Sequence, residues 1–421
     1  MENRVTVAES VDRTVQPHIL LASTLWWPLS ARLAMRFVHY GCEVSAICPR
    51  GHVLGHVPGI GRIYDYRPID SLASLESAIE RAKPDIIIPC DDRVVWQLHE
   101  LHERRPHLRP LIESSLGRAS EYDIVARRER LLETARSLGV RIPETRNVLS
   151  ERDVRDWFSR GPVRSVLKID GTWGGNGVEI VDTEEEAVAA YVRLSRPNLF
   201  AAAVKRWLIN GDPLALWGWR KQQIAPITIQ RFIPGRPANA MVACWRGEAV
   251  ASVIVEVLSS QGSTGAGFVV RIVRNQEITR VASLLAERLG LTGFYGLDFI
   301  LDAETGAAHL IEMNPRCTQL GHLALSGQGD LAGALYAKLA NAPVEPPPPI
   351  GSDVVAFFPQ AVQAEPQSRY ADQAYLDVPQ EHAALVRELL LPLPPYRQLL
   401  SRLYHSFRPP RSPATVDFEP N

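Results

Sequence analysis

LDFILDAETGAAHLIEMNPR, Leu297 to Arg316, is a short apolar hairpin with acids, an amide and an arginine set into it. Two β-rich segments, FYGLDFIL and AAHLIEMN, flank the turn DAETG, whose Asp302 and Gly306 suit a tight reversal. Pairing Leu301 with Ala307 puts Asp298 opposite Leu310, with Glu312 as its diagonal neighbour. Strand alternation then turns residues 298, 310, 312 and 314 to one face. Asp298, Glu312 and Asn314 form an oxygen-rich set suited to a hard cation such as Mg2+, which takes one or two carboxylates plus substrate phosphates. Arg316, just past the strand, is a fixed positive charge for a transferring phosphoryl group. On its own the hairpin fits ordinary surface acids equally well.

Two further stretches bear on that choice. In SVLKIDGTWGGNGVEIV, Lys168 ends a strand and Gly171, Gly174, Gly175 and Gly177 follow. A loop with so little side chain lets backbone N–H groups close over phosphates, and the lysine ammonium can meet them as a point charge. This strand–loop–strand order differs from a P-loop, which runs into a helix and ends in GK[ST]. Further on, TIQRFIPG is an apolar segment whose backbone could hydrogen-bond a flat purine.

The chain outside these motifs is ordinary in composition. It has 421 residues, 46% hydrophobic and 22% charged, which suits two to three domains with a real core. A net charge of −1 gives no basic excess, so nucleic acid is not expected as a partner. Cys42, Cys48, Cys90, Cys244 and Cys317 are scattered without a CxxC pair, which fits reduced, buried thiols in a cytoplasm. The first seventeen residues are polar, with no apolar core of a secretory signal, and no run is long enough for a membrane span. A cytoplasmic location, with no membrane partner, is the expectation.

From His18 the pattern alternates strand and helix through HILLAST, SARLAMRFVHYGC, EVSAICP, SLASLESAIERAK and DIIIPC. Such units predict an open α/β sheet whose ligand-side loops follow the strand C-termini. Thr24–Pro28 and Cys90–Asp92 are therefore substrate-side candidates, with helix capping by Thr24 and Asp92 as the plainer explanation. A helix over 122–139, a strand in VRIPET and the helix SERDVRDWFSR follow. After ITIQRFIPG come a β-rich stretch to about Val273 and a helix over roughly 275–289. Pro343–Pro349 reads as a stiff linker, DVVAFFPQ as one more strand, and EHAALVRELL as a helix.

The ordered set of Lys168 with its glycine loop, QRFIPG and then D(x13)ExNPR resembles the ATP-grasp superfamily over roughly Tyr122 to Ala340. IEMNPR is similar to the matching segment of the carbamoyl-phosphate synthetase large subunit and its relatives. RRERLLETARSLGVRIPET looks like the helix and strand that open the grasp in those enzymes. The resemblance implies a mixed α/β and α+β protein. The expected division is a disordered tail over 1–17, an open α/β domain over 18–116, the two-subdomain grasp over 117–342, a small C-terminal extension over 343–406 and a second disordered tail over 407–421. Within the grasp, the lid covers about 145–228 and the catalytic body about 229–342.

The resemblance also implies roles. ATP would lie between the subdomains, with Lys168 on its phosphates, Arg128 as a basic nucleotide-binding residue, and Gly171–Gly177, including Gly174, Gly175 and Gly177, as a mobile lid loop. Gln230, Arg231, Phe232 and Ile233 would form the adenine hinge. Asp298, Glu312 and Asn314 would hold one or two Mg2+, and Arg316 would stabilise the γ-phosphoryl group and the acyl phosphate it becomes. Arg271, beyond the loop SSQGSTGAG (259–267), is a candidate clamp for carboxylate or phosphate, or else a solvated strand-end arginine. Trp207, Trp217 and Trp219 would pack an inserted helix against the lid more readily than wall a substrate.

The implied reaction is ADP-forming ligation of a small-molecule carboxylate, of amino-acid or small-peptide type, to an amine. Such a protein contributes positioning and charge stabilisation more than a covalent nucleophile. The alternative is a regulatory nucleotide-binding protein of the same fold without turnover. It draws slight support from two departures, Arg231 where a hinge glutamate is common and no ribose-binding acid in GRPANA; Ile169 also stands where many relatives have proline. The four methionines, Met1, Met35, Met241 and Met313, include no biotinyl Met-Lys-Met motif, and the chain holds one grasp module where carbamoyl-phosphate synthetase needs two. Homodimerisation is a habit of the family that the sequence itself does not show.

Overall fold

The computed structural model describes residues 16–170, 177–195, 226–262, 264–325, 329–345, 348, 350–365, 368–391 and 416–418. The alternating N-terminal segments fold into β1 (His18–Ala22), β2 (Glu43–Cys48), β3 (Ile63–Asp65) and β4 (Ile86–Pro89), all parallel and ordered β3-β2-β1-β4. Ile19–Ala22 and Ile86–Ile88 are fully buried, as strands covered by helices on both faces must be. The covering helices include α1 (Leu29–His39), α2 (Ser71–Ala82) and α3 (Asp92–Arg104). β1 and β4 are neighbours, so their following loops lie side by side at one end of the sheet.

The chain then passes through Gly117, where φ is +100° and a Cβ would stand 2.2 Å from the Gly290 carbonyl oxygen. Only glycine allows that close backbone approach between the N-terminal domain and the rest. The lid sheet is antiparallel, built from β5 (Thr145–Val148), β6 (Ser165–Ile169), β7 (Val178–Val181) and β8 (Ile227–Arg231) in the order β5-β8-β6-β7. Its helices Glu151–Phe158, with a Ser150–Asp153 capping box, and Glu184–Ser195 share one apolar core with Leu167, Val181 and Ile229. β8 belongs wholly to this sheet, so the lid runs to Arg231 and not to 228. The expected boundary would have cut a strand across its ladder.

The body is one large sheet. β9 (Gly235–Trp245), β10 (Glu248–Ser260), β11 (Gly267–Ile272), β12 (Gly293–Asp302) and β13 (Ala308–Asn314) are ordered β13-β12-β9-β10-β11. The strand Val354–Phe357 extends the sheet beside β11, and Tyr375–Asp377 follows it. The presumed C-terminal extension is thus in part continuous with the body, because its apolar VVAF segment completes an otherwise open edge. Val416–Asp417 also pairs with β10, so the expected disordered tail does not hold for these residues. After α4 (Arg109–Leu116) and the short α5 (Tyr122–Ala126) comes α6 (Arg128–Ser137), which covers one face of the sheet together with the helix Gln276–Leu289. The other face shares a core with the N-terminal domain, where Phe37 and Phe294 lie 6.2 Å apart between ring centres. Buried Asp377 adds a polar clamp there, accepting from Arg32 at 2.5 Å and pairing with His322 at 2.5 Å. Among the described residues no helix is long and apolar enough to cross a membrane.

Candidate active site

A β-bulge in β13 decides how the hairpin presents its acids. Leu301 pairs with Ala308, Ile300 with His309 and Phe299 with Leu310; the register then shifts, and Asp298 pairs directly with Glu312. The expected Leu301–Ala307 pairing is one residue out. Leu310 lies on the opposite face from the acids, fully buried with Leu297 and Phe299. Strict alternation would have forced Leu310 and Glu312 to share a face, burying a carboxylate in the core or exposing a leucine in the cleft. The unpaired Ile311 lets each reach its own side. Asp302 fixes the turn by accepting from Glu304 N and Thr305 N at 3.1 and 2.8 Å.

Asp298, Glu312 and Asn314 do come together, as the sequence suggested. Asn239 joins them from β9, directly opposite Asp298. Its Nδ2 donates to Asp298 Oδ1 at 2.6 Å, and Asn314 Nδ2 donates to Oδ2 at 3.0 Å. Burial and the nearby Glu312 charge still push Asp298 up to about 6. Burial would raise Glu312 as well, but Arg128 and Lys168 hold it below the usual carboxylate range. Arg128 opens α6, donates to Glu312 Oε1 at 2.9 Å, and also binds Asp170 at the base of the lid loop. One guanidinium therefore spans body and lid. Its own burial disfavours the charge, yet the two carboxylates keep it protonated.

Lys168 pairs with Thr228 across the lid sheet, and Val166 pairs with Gln230. These four share the face opposite the lid core. Lys168 is buried and its pKa falls to about 8, through burial and the adjacent Arg128, against the pull of Glu312, Asp298 and Asp170. Gln230 is 2% exposed, and among the described residues its Nε2 has no hydrogen-bond partner. Gly177 closes the loop with φ of +76°, and its carbonyl accepts from Ile169 N at 3.0 Å. Gly171, Gly174, Gly175, Trp207, Trp217 and Trp219 lie outside the described residues.

Arg316 reaches the N-terminal domain. Its Nε donates to Asp92 Oδ2 at 3.0 Å, and its two terminal nitrogens make longer contacts with Cys317 O and Asn314 Oδ1, at 3.4 and 3.5 Å. Neither Thr24 nor Asp92 acts as the expected cap. Asp91 caps α3 instead, accepting from Arg93 N and Val94 N, and it also takes Thr24 N at 2.6 Å and Thr24 Oγ1 at 3.0 Å. The loops after β1 and β4 are thereby tied through one carboxylate, which frees Asp92 to orient Arg316.

Two expected members stand apart. The row Asp298–Asn239–Val255–Ile272 crosses four strands on one face, and Arg271, one residue along and paired with Glu256, faces the other way. Arg231 is on the helix-side face of the lid and lines a separate cleft with Glu144, Trp157 and Arg160. Only its backbone is placed for a hinge. Phe232 packs under the Arg164 guanidinium, 4.6 Å from its ring centre. Ile233 and Pro234 then lead to Gly235, whose Cβ would lie 2.0 Å from Leu301 O, so this joint is anchored tightly on the body. Asn239 and Asp170 are site residues that the motifs alone did not point to. Asp170 had a signal, two places after the lysine; Asn239 had none without the β9–β12 pairing.

Residues 216–319 match the family model for the ATP-grasp domain. The chain carries an ATP-grasp fold. No curated protein sequence matches it significantly. Among solved structures, it superposes on an N5-carboxyaminoimidazole ribonucleotide synthetase in complex with ADP at 14% identity and a TM-score of 0.56, covering 78% of each chain. Biotin carboxylase from Campylobacter jejuni gives 14% identity and a TM-score of 0.55 over 79% of this chain and 73% of that one. The L-amino acid ligase from Bacillus licheniformis gives 12% and 0.53 over 77% and 74%. At these identities the likeness is one of ATP-grasp architecture.

Proposed function

We propose that this ATP-grasp protein is an ADP-forming ligase that activates a small carboxylic acid as its acyl phosphate and joins it to an amine. The observation that carries this is the clustering of Lys168 from the lid, Arg128 from α6, and Asp298, Glu312, Asn314 and Arg316 from the body, around a cleft that Arg128, Glu312 and Asn314 line. The solved relatives support the same class by their names: a synthetase, a carboxylase and an amino acid ligase, two of them determined with nucleotide.

The donor set fits Mg2+. Asp298 and Glu312 are cross-strand neighbours, both half-buried, and Asn314 adds an amide oxygen on the same face. When bound, Mg2+ would supply charge neutralisation between the phosphates. Lys168 and Arg128 would meet the phosphate oxygens as fixed cations. Gln230 offers a buried amide donor beside the hinge, with the backbone of Arg231–Ile233, for the purine. Arg316, held by Asp92, would face the acid. The carboxylate oxygen attacks the γ-phosphorus, the bond to the β–γ bridging oxygen breaks, and ADP leaves. The amine then adds to the acyl carbon and inorganic phosphate departs. Lys168 and Arg316 stabilise the charge that develops on the transferring group.

The test is ADP release with Mg2+–ATP across a panel of amino acids and small carboxylic acids, with hydroxylamine present to trap acyl phosphate. Acid-dependent ADP and hydroxamate, both lost in Glu312→Gln, are expected. ATP binding without turnover across a broad panel would instead favour the regulatory alternative.

A further inference from the structure

The substrate arm of the cleft has an aromatic wall that the phosphate and metal chemistry leaves unused. Trp96 sits on α3 one turn beyond Asp92, so the two side chains stack along one helix face. That helix buries Val94, Val95, Leu98 and Leu101, and Trp96 is not among them. It is 45% exposed, and Trp26 at 44% is the only other tryptophan so open among the described residues. Yet Trp96 lines the same cavity as Arg128, the three carboxylates of Asp92, Asp170 and Glu312, and Asn314, with Val125 and Leu131 among its apolar residues. A cavity with ionic and amide groups on one side and apolar ones on the other suits a ligand with a polar head and a flat or apolar body.

Asp92 strengthens this placement. It takes the Nε edge of Arg316, leaving the two terminal guanidinium nitrogens with contacts no shorter than 3.4 Å. A carboxylate is the group that such a planar, fixed donor pair recognises best. An acid held there would have its side group one helical turn away, at Trp96.

We propose that the first turn of α3 is the acid-recognition element of the cleft, and that the preferred acid carries an aromatic or flat apolar group that stacks on the Trp96 indole. This rests on the ligase reading for the identity of the bound acid. The competing account is that Trp96 only packs between the N-terminal domain and the body, in which case its loss would weaken the fold without changing which acid binds.

The experiment is calorimetric titration of the full chain, saturated with Mg2+ and a non-hydrolysable ATP analogue, with two matched pairs: L-phenylalanine against L-alanine, and 3-phenylpropionate against propionate. Wild type should favour the aromatic member of at least one pair by about tenfold or more, an effect of the size expected for an aromatic contact plus its buried area. Trp96→Phe should keep most of that preference. Trp96→Ala should reduce it to about twofold or less with the analogue's affinity unchanged, and Trp96→Gln serves the same purpose if the alanine variant unfolds. Preference for the aromatic member that survives loss of the ring, or no such preference in wild type, would overturn the proposal. ADP release measured in parallel separates the two ideas. Aromatic preference without turnover would remove the ligase function and leave the Trp96 site standing; turnover without the preference would do the reverse.

Discussion

The two walls of the cleft are built on opposite plans. On the body side, Asp298, Glu312, Asn314 and Arg316 lie within nineteen residues of sequence, on two paired strands and the turn after them. Register alone sets their mutual positions. On the lid side, Lys168, Asp170 and Gln230 come from strands brought together across an intervening helix and a long segment, and a shared guanidinium, Arg128, fastens them to the body. The body wall is thus a local device, whereas the lid wall is assembled from distant pieces and depends on the body for its charge balance. Substitutions on the body wall should therefore strike the chemical step, and those on the lid wall should weaken nucleotide binding and shift stability in either direction.

The sharpest way to break this contrast is Glu312→Gln. The change keeps the size but removes a half-buried charge that Arg128 binds and that opposes the depression of Lys168. We expect kcat for acid-dependent ADP release to fall by at least about 100-fold, as for loss of a preorganised electrostatic group. A variant retaining a tenth of the activity would show that the acids are scaffolding.

Lys168→Met comes next and separates binding from stability. In the folded chain the ammonium titrates near pH 8, below its usual 10.5, because burial and Arg128 disfavour the charge. Between those values the unfolded chain holds a proton that the folded chain has released, so stability rises with pH across this window. Below pH 8 the full cost of burying the charge is present. Replacing it with a neutral side chain should then raise stability at pH 7 by on the order of 1–3 kcal/mol, while weakening ATP binding by about 10- to 100-fold. In wild type, ATP affinity should decline as pH climbs through about 8, and a flat profile in Lys168→Met would tie that decline to this residue. Denaturant melts and nucleotide titrations between pH 6.5 and 9.5 report both.

Asp92→Asn tests whether the N-terminal domain enters the chemistry. Asp92 is not one of the metal set; it holds Arg316 by a hydrogen bond. An amide can keep that contact but not the charge, so kcat should drop by about tenfold with KM for ATP little changed, and Asp92→Glu should recover part of the loss. An equal loss in both variants, accompanied by a lower melting temperature, would reduce Asp92 to an interdomain tie.

How much of this was legible beforehand follows the same division. The body wall could be read almost completely, because period-2 alternation in a hairpin is local information; what escaped was the bulge at Ile311, which no residue type announces. Asp298, Glu312 and Asn314 still fell on one face because the error in pairing and the bulge offset each other for these positions, while Leu310 went to the wrong side. Asn239 was invisible because its neighbour across the ladder lies some sixty residues away. Asp92 was noticed only as a cap, a role taken by Asp91, since the two adjacent carboxylates differ in direction and not in type. The hinge showed the converse failure: Arg231 was placed by motif position, whereas alternation along β8 turns its side chain out of the cleft.

Arg271 is the smallest effect and the cleanest check on the register. Position in the chain, between hinge and hairpin, made it a clamp candidate; pairing with Glu256, one step from the Val255–Ile272 row, turns it to the face away from Asp298. Its Nε lies 4.0 Å from Asp353 Oδ2, and Asp353 is exposed. Ion pairs of that kind contribute about 0–1 kcal/mol. Arg271→Ala should therefore leave kcat/KM within about twofold of wild type and lower stability by no more than that amount. A loss of activity comparable to that of Asp92→Asn, with stability intact, would mean that β11 shifts by one residue when substrate binds, since a single-residue slip is what it takes to bring this side chain onto the face of the acids.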